Sequence, residues 1–407
     1  MTETLKEKVN SQAVLIVICC SLVLLLTMGM RQSFGLWQTP ISQAFGVGFT
    51  VFSLSLAIQN LFWGLFQPLV GGLADKFGSG RVIAVAGALQ ALGLIWLAYA
   101  DQIWELHASA GIIIGISGAG TTWAVLMSVV ARNVPENRRT QFFGMVSAIG
   151  TGGQIIIAPF NQYTINTFGW QEALIILAVM LSLTVPLAYF LRGKTSSDVK
   201  QHAETLSEAL NRARKHTGYV LLSAGFFVCG FHVMFVMSHL PSYLQSQNMP
   251  DWLPGAAISV IGIANLVGTF VAGYLGDKFS KKYLLSSIYF MRSIVFIVFL
   301  TVPITTTSTL IFAAAIGLLW LATVPLTYAL VGQIFGLRYF GTLSGLVFCA
   351  HQLVSFTSVS LVCYVFDSFG SYDLIWQVTV ALGLIAALLH LPINESPTVP
   401  KSAEVAK

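Results

Sequence analysis

The stretch "GGLADKFGSGR" (residues 71–81) decides the fold, because it follows an apolar segment and returns in weaker form far along the chain. The second copy, "GYLGDKFSKK" (273–282), places an aspartate where the first copy has Asp75. Two further segments, "INTFGWQEALII" (165–176) and "FDSFGSYDLIW" (366–376), recur at nearly the same offset. Two repeats at one offset indicate a duplicated unit.

The composition around these repeats is that of a membrane protein. The 407 residues are 56% hydrophobic and only 9% charged, whereas soluble domains carry about 25% charged residues. Apolar segments of roughly 20 residues, each long enough to cross a bilayer as a helix, follow one another along the chain. We predict twelve such helices, at residues 13–40, 51–73, 81–100, 106–131, 141–165, 171–191, 218–245, 254–276, 283–303, 308–333, 341–366 and 372–392.

The longest predicted loop divides these helices six and six. It is polar and basic, and we expect it to be helical in part. Together with the repeats, the loop indicates an all-α membrane protein of two pseudo-symmetric six-helix bundles, residues 1–191 and 218–407, joined by a cytoplasmic linker at residues 192–217. The first apolar segment is too long for a signal-peptide core, so we interpret it as a retained span.

Charge placement predicts the orientation. All but two of the 21 Lys and Arg residues fall in the termini or in alternate loops, and the other loops carry acidic residues. By the positive-inside rule both termini are cytoplasmic, so the net charge of +5 requires no nucleic-acid partner. The five cysteines lie in apolar segments without disulfide or metal-ligand spacing, and we interpret them as small apolar side chains.

The first repeat carries a family resemblance. Residues 71–81 resemble the signature between helices 2 and 3 of the major facilitator superfamily, G-x-L-a-D-r-x-G-r, with Gly80 standing where a basic residue is usual. The resemblance implies a twelve-helix transporter rather than an enzyme. It also implies that Asp75 and Arg81, with Asp277 of the second copy, form a cytoplasmic latch that controls alternating access.

Three other segments narrow the resemblance. Residues 31–37 ("RQSFGLW"), 153–160 ("GQIIIAPF") and 229–244 ("CGFHVMFVMSHLPSYL") are similar to bacterial members near the monocarboxylate porters and the oxalate/formate-type exchangers. This implies a bacterial inner-membrane carrier of small carboxylates, often moved with protons. The monocarboxylate porters typically carry an Asp and an Arg within helix 8, whereas here the polar residue at that depth is Asn265.

Two arginines, Arg31 and Arg292, lie within predicted spans, and no acidic residue lies at comparable depth. A charge at the bilayer centre costs roughly 2.5–3.5 kcal/mol on the insertion scale, so these cations need an anion or strong acceptors. We predict that Arg31 binds a substrate carboxylate, which arginine can hold through two hydrogen bonds. The predicted substrate-binding residues are Arg31, Gln59, Gln154, His232, Arg292, Trp320 and His351.

Structural alternatives stay open for the same residues. Arg31 either binds the substrate, caps backbone carbonyls, or reaches Asp367 as part of an outer gate. Arg292 either faces the cavity or braces helix 9 against helix 8 or the latch of the second half. The histidines His232, His239 and His351 are candidates for proton coupling, because histidine titrates near neutral pH and no intramembrane carboxylate is present in the sequence. His232 and His239 can equally be hydrogen-bonded structural residues.

The sequence therefore predicts proton-coupled symport of a small, monocarboxylate-like organic anion by alternating access. One alternative is proton-independent exchange of organic anions. Another is drug efflux, which is disfavoured because helix 4 has no charge before Arg132 at its end. The expected partners are the anion, protons and the lipid bilayer, with no nucleic acid, no cofactor and no metal. We expect a monomer.

Overall fold

The structure, a computed structural model, describes residues 11–192, 204–369 and 371–398, with their side chains except at positions 359, 360, 363, 366 and 367. Twelve helices in this part of the chain are long and apolar enough to cross a membrane. They are α1 (Ser11–Phe45), α2 (Phe49–Phe77), α3 (Ser79–Ala98), α4 (Ile103–Asn133), α5 (Glu136–Phe168), α6 (Trp170–Phe190), α7 (Thr217–Ser246), α8 (Leu253–Gly276), α9 (Lys281–Thr301), α10 (Thr306–Phe335), α11 (Phe340–Phe369) and α12 (Asp373–His390). Each predicted span falls on one of them, so the predicted fold class is confirmed.

We refer to α1–α6 as the N-half and to α7–α12 as the C-half. The predicted linker contains a short helix, Leu206–Lys215, which we call the linker helix. It begins with a capping box, in which Thr205 and Glu208 exchange hydrogen bonds. Residues 193–203 of the linker lie outside the described part, as do residues 1–10 and 399–407, so the predicted cytoplasmic position of the termini stays a prediction.

Matching irregularities in the two halves reflect the duplication. The helical ladder of α4 is interrupted between Gly120 and Trp123, and that of α10 between Leu319 and Thr323. A π-helical stretch, His107–Ile113, lies near the start of α4. Such interruptions release backbone groups that a membrane protein must satisfy with other partners.

The two halves meet through glycines. A Cβ on Gly71 of α2 would lie 2.3 Å from the carbonyl oxygen of Gly341 in α11, and a Cβ on Gly144 of α5 would lie 2.8 Å from the Cα of Gly273 in α8. The α2–α11 and α5–α8 contacts are therefore backbone-to-backbone, which small residues permit in membrane helices. Both lie at the end of the bundle that carries Asp75, which we call the latch end.

The surface suits a bilayer. Large apolar side chains are exposed along many helices, for example Leu69 with 61% and Ile311 with 65% of the side chain accessible. Exposed apolar surface on this scale is expected where acyl chains, not water, cover the helices.

Candidate functional site

Arg31 lies in the last turn of the regular part of α1, Ser11–Ser33. Its Nη1 donates to Oε1 of Gln59 at 3.4 Å, and its Nη2 donates to Oδ1 of Asn60. The guanidinium carbon stands 3.8 Å from the centre of the Trp63 ring. These partners are side-chain amides and an aromatic face, all of them neutral.

No carboxylate among the described side chains lies within 4 Å of Arg31. Backbone carbonyls, one of the predicted alternatives, are not its partners here. The Asp367 side chain, the other alternative, lies outside the described residues. The positive charge of Arg31 is thus solvated by neutral groups and is not cancelled.

Three residues of α2 at four-residue intervals, Gln59, Trp63 and Gln67, form a polar and aromatic stripe that links this arginine to α4. Gln59 donates through Nε2 to the carbonyl of Ala110 at 3.0 Å, within the π-helical stretch. Further along α2, Trp63 and Gln67 both donate to the hydroxyl of Thr122, at 3.0 and 2.8 Å. The hydrogen bonds hold the three stripe residues in place, so the acceptor and the ring beside Arg31 are preorganised.

A small cavity opens beside Arg31 within the N-half. It has room for about one water molecule. Its polar lining consists of Thr27, Arg31, Gln59, Gln90 and Thr122, and its other walls are apolar or aromatic. The complete lining is Thr27, Met28, Met30, Arg31, Gln59, Trp63, Gln90, Ile114, Gly118 and Thr122.

A second cavity lies between the halves and has room for about two or three water molecules. Gln32 and Gln154 line it from the N-half, and Asn265 and Trp320 from the C-half. Asn265 links three elements: it donates to Thr151 Oγ1 of α5 at 3.1 Å, and its Oδ1 accepts from Thr269 of α8 and from the free N–H of residue 321 in the α10 break.

Asp75 and Asp277 both bind across the interface between the halves. Asp75 accepts hydrogen bonds from the N–H groups of Gly341 and Thr342 at 3.2 and 2.9 Å, at the start of α11. Asp277 accepts from the N–H groups of Thr140 and Gln141 at 2.9 and 2.7 Å, near the start of α5. Each carboxylate therefore caps the N-terminus of a helix in the other half, where free N–H groups and the helix dipole favour an anion.

The arginine that pairs with Asp75 is Arg132, at 2.6 Å. Arg132 also donates to the Leu337 carbonyl of the C-half at 3.2 Å. Arg81, which the family resemblance assigns to the latch, is exposed at the start of α3. Its part in the latch stays a prediction. The sequence did show Arg132 as the basic residue at the cytoplasmic end of predicted helix 4. A basic residue there is equally expected from the positive-inside rule, so it did not indicate a pairing with Asp75.

Arg292 is 1% exposed and lies inside the C-half. Nε and Nη2 donate to the carbonyl of Leu319 at 3.1 and 2.6 Å, Nη2 also donates to the carbonyl of Trp320, and Nη1 donates to Cys229 Sγ at 3.5 Å. These contacts fill the free carbonyls of the α10 break. Arg292 therefore braces one helix against another, as the structural alternative expected. The brace joins α9 to α10, however, and not to α8.

The three histidines occupy different surroundings. His232 shares a hydrogen bond with the Thr379 carbonyl of α12 at 3.0 Å, and the His239 ring lies near the rings of Phe235 and Tyr372. His351 shares a 2.9 Å hydrogen bond with Gln352 Oε1. Of the predicted substrate-binding residues, two line the first cavity, Arg31 and Gln59, and two line the second, Gln154 and Trp320. Neither cavity is lined by Arg292 or by any of the three histidines.

Sequence reasoning missed two residues at this site. Asn60, which accepts a hydrogen bond from Arg31, is adjacent to Gln59 but lies outside the stripe, so it was not among the predicted substrate-binding residues. Gln90 of α3 lines the first cavity but was not among the predicted substrate-binding residues.

Known proteins resemble this chain in sequence and in fold. It is 23% identical over 376 residues to the uncharacterized MFS-type transporter YcxA of Bacillus subtilis (strain 168), covering 89% of this chain and 90% of that protein. It is 26% identical over 268 residues to monocarboxylate transporter 11 of Mus musculus, covering 62% of this chain and 57% of that protein. The E. coli fucose:proton symporter FucP superposes with a TM-score of 0.75 at 16% identity, over 96% of this chain and all of that chain.

The Major Facilitator Superfamily matches residues 18–359, most of the chain, and the twelve candidate membrane helices among the described residues agree with that match. The resemblance seen in residues 71–81 is thereby confirmed. The chain belongs to the Major Facilitator Superfamily and is a multi-pass membrane transporter.

Proposed function

We propose that this transporter carries a small, monocarboxylate-like organic anion, which it moves together with a proton by alternating access. The observation that carries the proposal is the guanidinium of Arg31, which lines a cavity and has only neutral partners among the described side chains. A substrate carboxylate is the natural complement of that charge. The sequence likeness to monocarboxylate transporter 11, whose name states its cargo, supports the same class of substrate.

The geometry suggests how the anion binds. Gln59 and Asn60 offer amide oxygens to Arg31 in this structure. A carboxylate can replace both, because its full negative charge attracts the guanidinium more strongly than a neutral amide does and because arginine can hold it through two parallel hydrogen bonds. The freed amides can then donate to the anion through their nitrogens. Trp63, Met28 and Met30 supply apolar contact for a short hydrocarbon tail.

The present cavity is too small for such an anion, which is consistent with a closed state. The halves are joined at the latch end through Asp75 and Asp277. Movement of the halves would widen the space around Arg31 and merge it with the second cavity, where Gln154 and Trp320 would contact the rest of the substrate. In this proposal Arg292 and His232 support the site from behind, and His351 and His239 remain candidates for the coupling proton.

The distribution of basic residues supports an orientation with the latch end and both termini in the cytoplasm. For a carrier of this kind we propose the bacterial inner membrane as the location and the monomer as the working unit.

The test is transport in proteoliposomes. A panel of organic acids is first screened by thermal shift, since a ligand that binds the folded state raises its stability. Uptake of the best acid is then measured for wild type, Arg31→Gln and Arg31→Lys, with exposed Arg214→Gln as a matched control. Loss of a charge-assisted pair of about 1.4 kcal/mol or more predicts at least about a tenfold loss in Arg31→Gln, partial rescue in Arg31→Lys, and no loss in the control.

The same preparation separates the alternatives. Accumulation that follows an imposed pH gradient supports symport, and counterflow that persists without any accumulation supports exchange. If Arg31→Gln transports at the wild-type rate, the neutralising role of Arg31 is wrong. If neutral amides of the same acids are carried as well as the acids, the substrate is not an anion.

A further inference from the structure

A cluster of polar groups surrounds one buried thiol in the C-half. Cys229 of α7 is fully buried, and its Sγ lies 3.5 Å from Nη1 of Arg292 and 3.4 Å from the hydroxyl of Thr323. The His351 side chain reaches the same sulfur. The buried hydroxyl of Tyr289 also faces it but has no partner of good hydrogen-bond geometry. Three other helices, α9, α10 and α11, thus direct polar groups at a single sulfur atom on α7.

The charges of this cluster do not balance if the thiol is neutral. Among the described side chains, no carboxylate lies within 4 Å of Arg292, and its other acceptors are backbone carbonyls. A thiolate at Cys229 would supply the missing negative charge. Guanidinium and imidazole groups beside a cysteine are the surroundings that stabilise a thiolate.

The cluster is in physical contact with the proposed substrate site. His351 stacks on Phe348 at 5.5 Å between ring centres and an interplanar angle of 9°. Phe348 contacts Trp63 of the N-half edge to face at 4.7 Å between ring centres, and the guanidinium carbon of Arg31 lies 3.8 Å from the centre of the Trp63 ring. One continuous stack therefore runs from the thiol across the interface between the halves to the arginine that binds the anion.

We propose that Sγ of Cys229, held between Arg292 and His351, is the proton-binding site of transport. The inference rests on the proposed anion transport. It assigns the coupling proton to the thiolate of Cys229 and not to one of the candidate histidines. A proton that enters the cluster forms an S–H bond and cancels the negative charge of the thiolate, and no other bond is broken. The bound proton adds one positive charge, and the substrate anion at Arg31 adds one negative charge. The net charge of the site is therefore the same with proton and anion bound as with neither bound.

Other groups that could titrate near the sulfur belong to the neighbouring helices. Tyr289 of α9 faces it, and His390 of α12 stacks on Tyr289 at 5.0 Å between ring centres. His232 lies one turn along α7 but bonds to α12. The guanidinium of Arg292 is the positive charge that bonds directly to the sulfur.

The first test compares two modes of transport in proteoliposomes for Cys229→Ser and for Cys20→Ser, a matched control at a buried thiol that faces only the Leu126 carbonyl. At one proton per anion, a gradient of about one pH unit supports about a tenfold accumulation. We expect wild type and Cys20→Ser to reach this ratio. Cys229→Ser is expected to lose it, because serine does not ionise at neutral pH, but to retain counterflow of the anion.

The second test does not require Cys229→Ser to fold. A chain in which Cys19, Cys20, Cys349 and Cys363 are replaced by Ala retains Cys229 as its single cysteine. The ultraviolet absorbance of a thiolate is expected at neutral pH in the native protein and is expected to vanish on acidification or in the added variant Arg292→Gln.

The outcomes distinguish the two proposals. Accumulation by Cys229→Ser at the wild-type ratio overturns the proton site and leaves anion transport intact, as does the absence of thiolate absorbance at neutral pH. Wild-type counterflow without gradient-driven accumulation also overturns it, because no proton is then coupled. If wild type transports no organic acid in either mode, the proposed function fails, whereas the thiolate measurement still reports on the cluster.

Discussion

A single methyl group on Gly71 is expected to open the latch. A Cβ there would lie 2.3 Å from the carbonyl oxygen and 2.5 Å from the carbonyl carbon of Gly341, and 3.0 Å from the amide nitrogen of Thr342. These are backbone atoms in the first turn of α11, the same turn whose N–H groups bind Asp75. No side-chain rotation can relieve the overlap, so Gly71→Ala destabilises the state in which the halves touch at the latch end.

The magnitude follows from the kind of contact. Overpacking of a well-packed interface costs roughly 1–3 kcal/mol, which changes a conformational equilibrium by about 5- to 150-fold. Alanine also favours a helix over glycine by about 1 kcal/mol, but that gain acts equally on both states and cancels. Gly72→Ala is the matched control, because its Cβ would meet one side-chain atom and no backbone atom. That atom, the Thr342 hydroxyl oxygen at 3.3 Å, has to give way by only a few tenths of an ångström, and the N–H of Thr342 still binds Asp75.

The assay is a distance distribution between spin labels on the two halves. Asn137 in the N-half and Lys278 in the C-half are exposed and lie near the latch end. In Gly71→Ala we expect a larger fraction of molecules at a longer label-to-label distance. In Gly72→Ala we expect the same distance distribution as in the spin-labelled protein without a glycine substitution. If Gly71→Ala gives the same distribution as Gly72→Ala in folded protein, the α2–α11 glycine contact does not control the closed state.

Two further predictions concern charged groups. Asp277→Asn keeps the shape of the cap on α5 but removes its charge, so the closed state should lose about 1 kcal/mol, or about fivefold in population, in the same distance measurement; exposed Asp251→Asn should change nothing. In the linker helix, hydrogen bonds from the N–H and hydroxyl of Thr205 lower the pKa of the Glu208 carboxyl. Because the folded pKa lies below the unfolded value, this stabilisation is present at neutral pH and is lost as the pH falls through the lowered value. Once corrected for the intrinsic pH dependence of exchange, the protection of the linker-helix amides from hydrogen exchange should therefore fall on acidification, and equal pH dependence in Glu208→Gln would contradict the assignment.

The helices and the latch carboxylates could be predicted from the sequence because both depend on local patterns. Long apolar segments predict spans, and the repeated aspartates Asp75 and Asp277 mark corresponding positions in the two halves. Asn265 was identified as the polar residue deep in α8. Its role as a link between α5, α8 and α10 was not, because its partners come from distant parts of the chain.

The two buried arginines show where sequence patterns stop being informative. Both appear as isolated cations within apolar segments. Arg292 finds acceptors because α10 is interrupted between Leu319 and Thr323, and apolar periodicity does not reveal such a break. Arg31 meets side-chain amides and a cavity instead. Cys229 was interpreted as a small apolar residue for the same reason, since its polar neighbours lie on three other helices.

A single helix, α2, carries residues of both the proposed substrate site and the latch end. Gln59, Trp63, Gln67, Gly71 and Asp75 follow one another at four-residue intervals along α2. Because an α-helix has 3.6 residues per turn, each interval turns the stripe by about 40°, or about 160° over its length.

The stripe therefore winds around α2, from the face that binds α4 to the face that binds α11. Gln59 donates to Ala110 of α4 at one end, and Asp75 accepts from Thr342 of α11 at the other. A motion that withdraws α2 from α11 at the latch end must also change the position of Trp63 relative to Phe348, and with it the ring on which Arg31 rests. In the proposed mechanism, opening of the latch end and rearrangement of the proposed anion site are then consequences of one movement of one helix, and no separate signal between them is required.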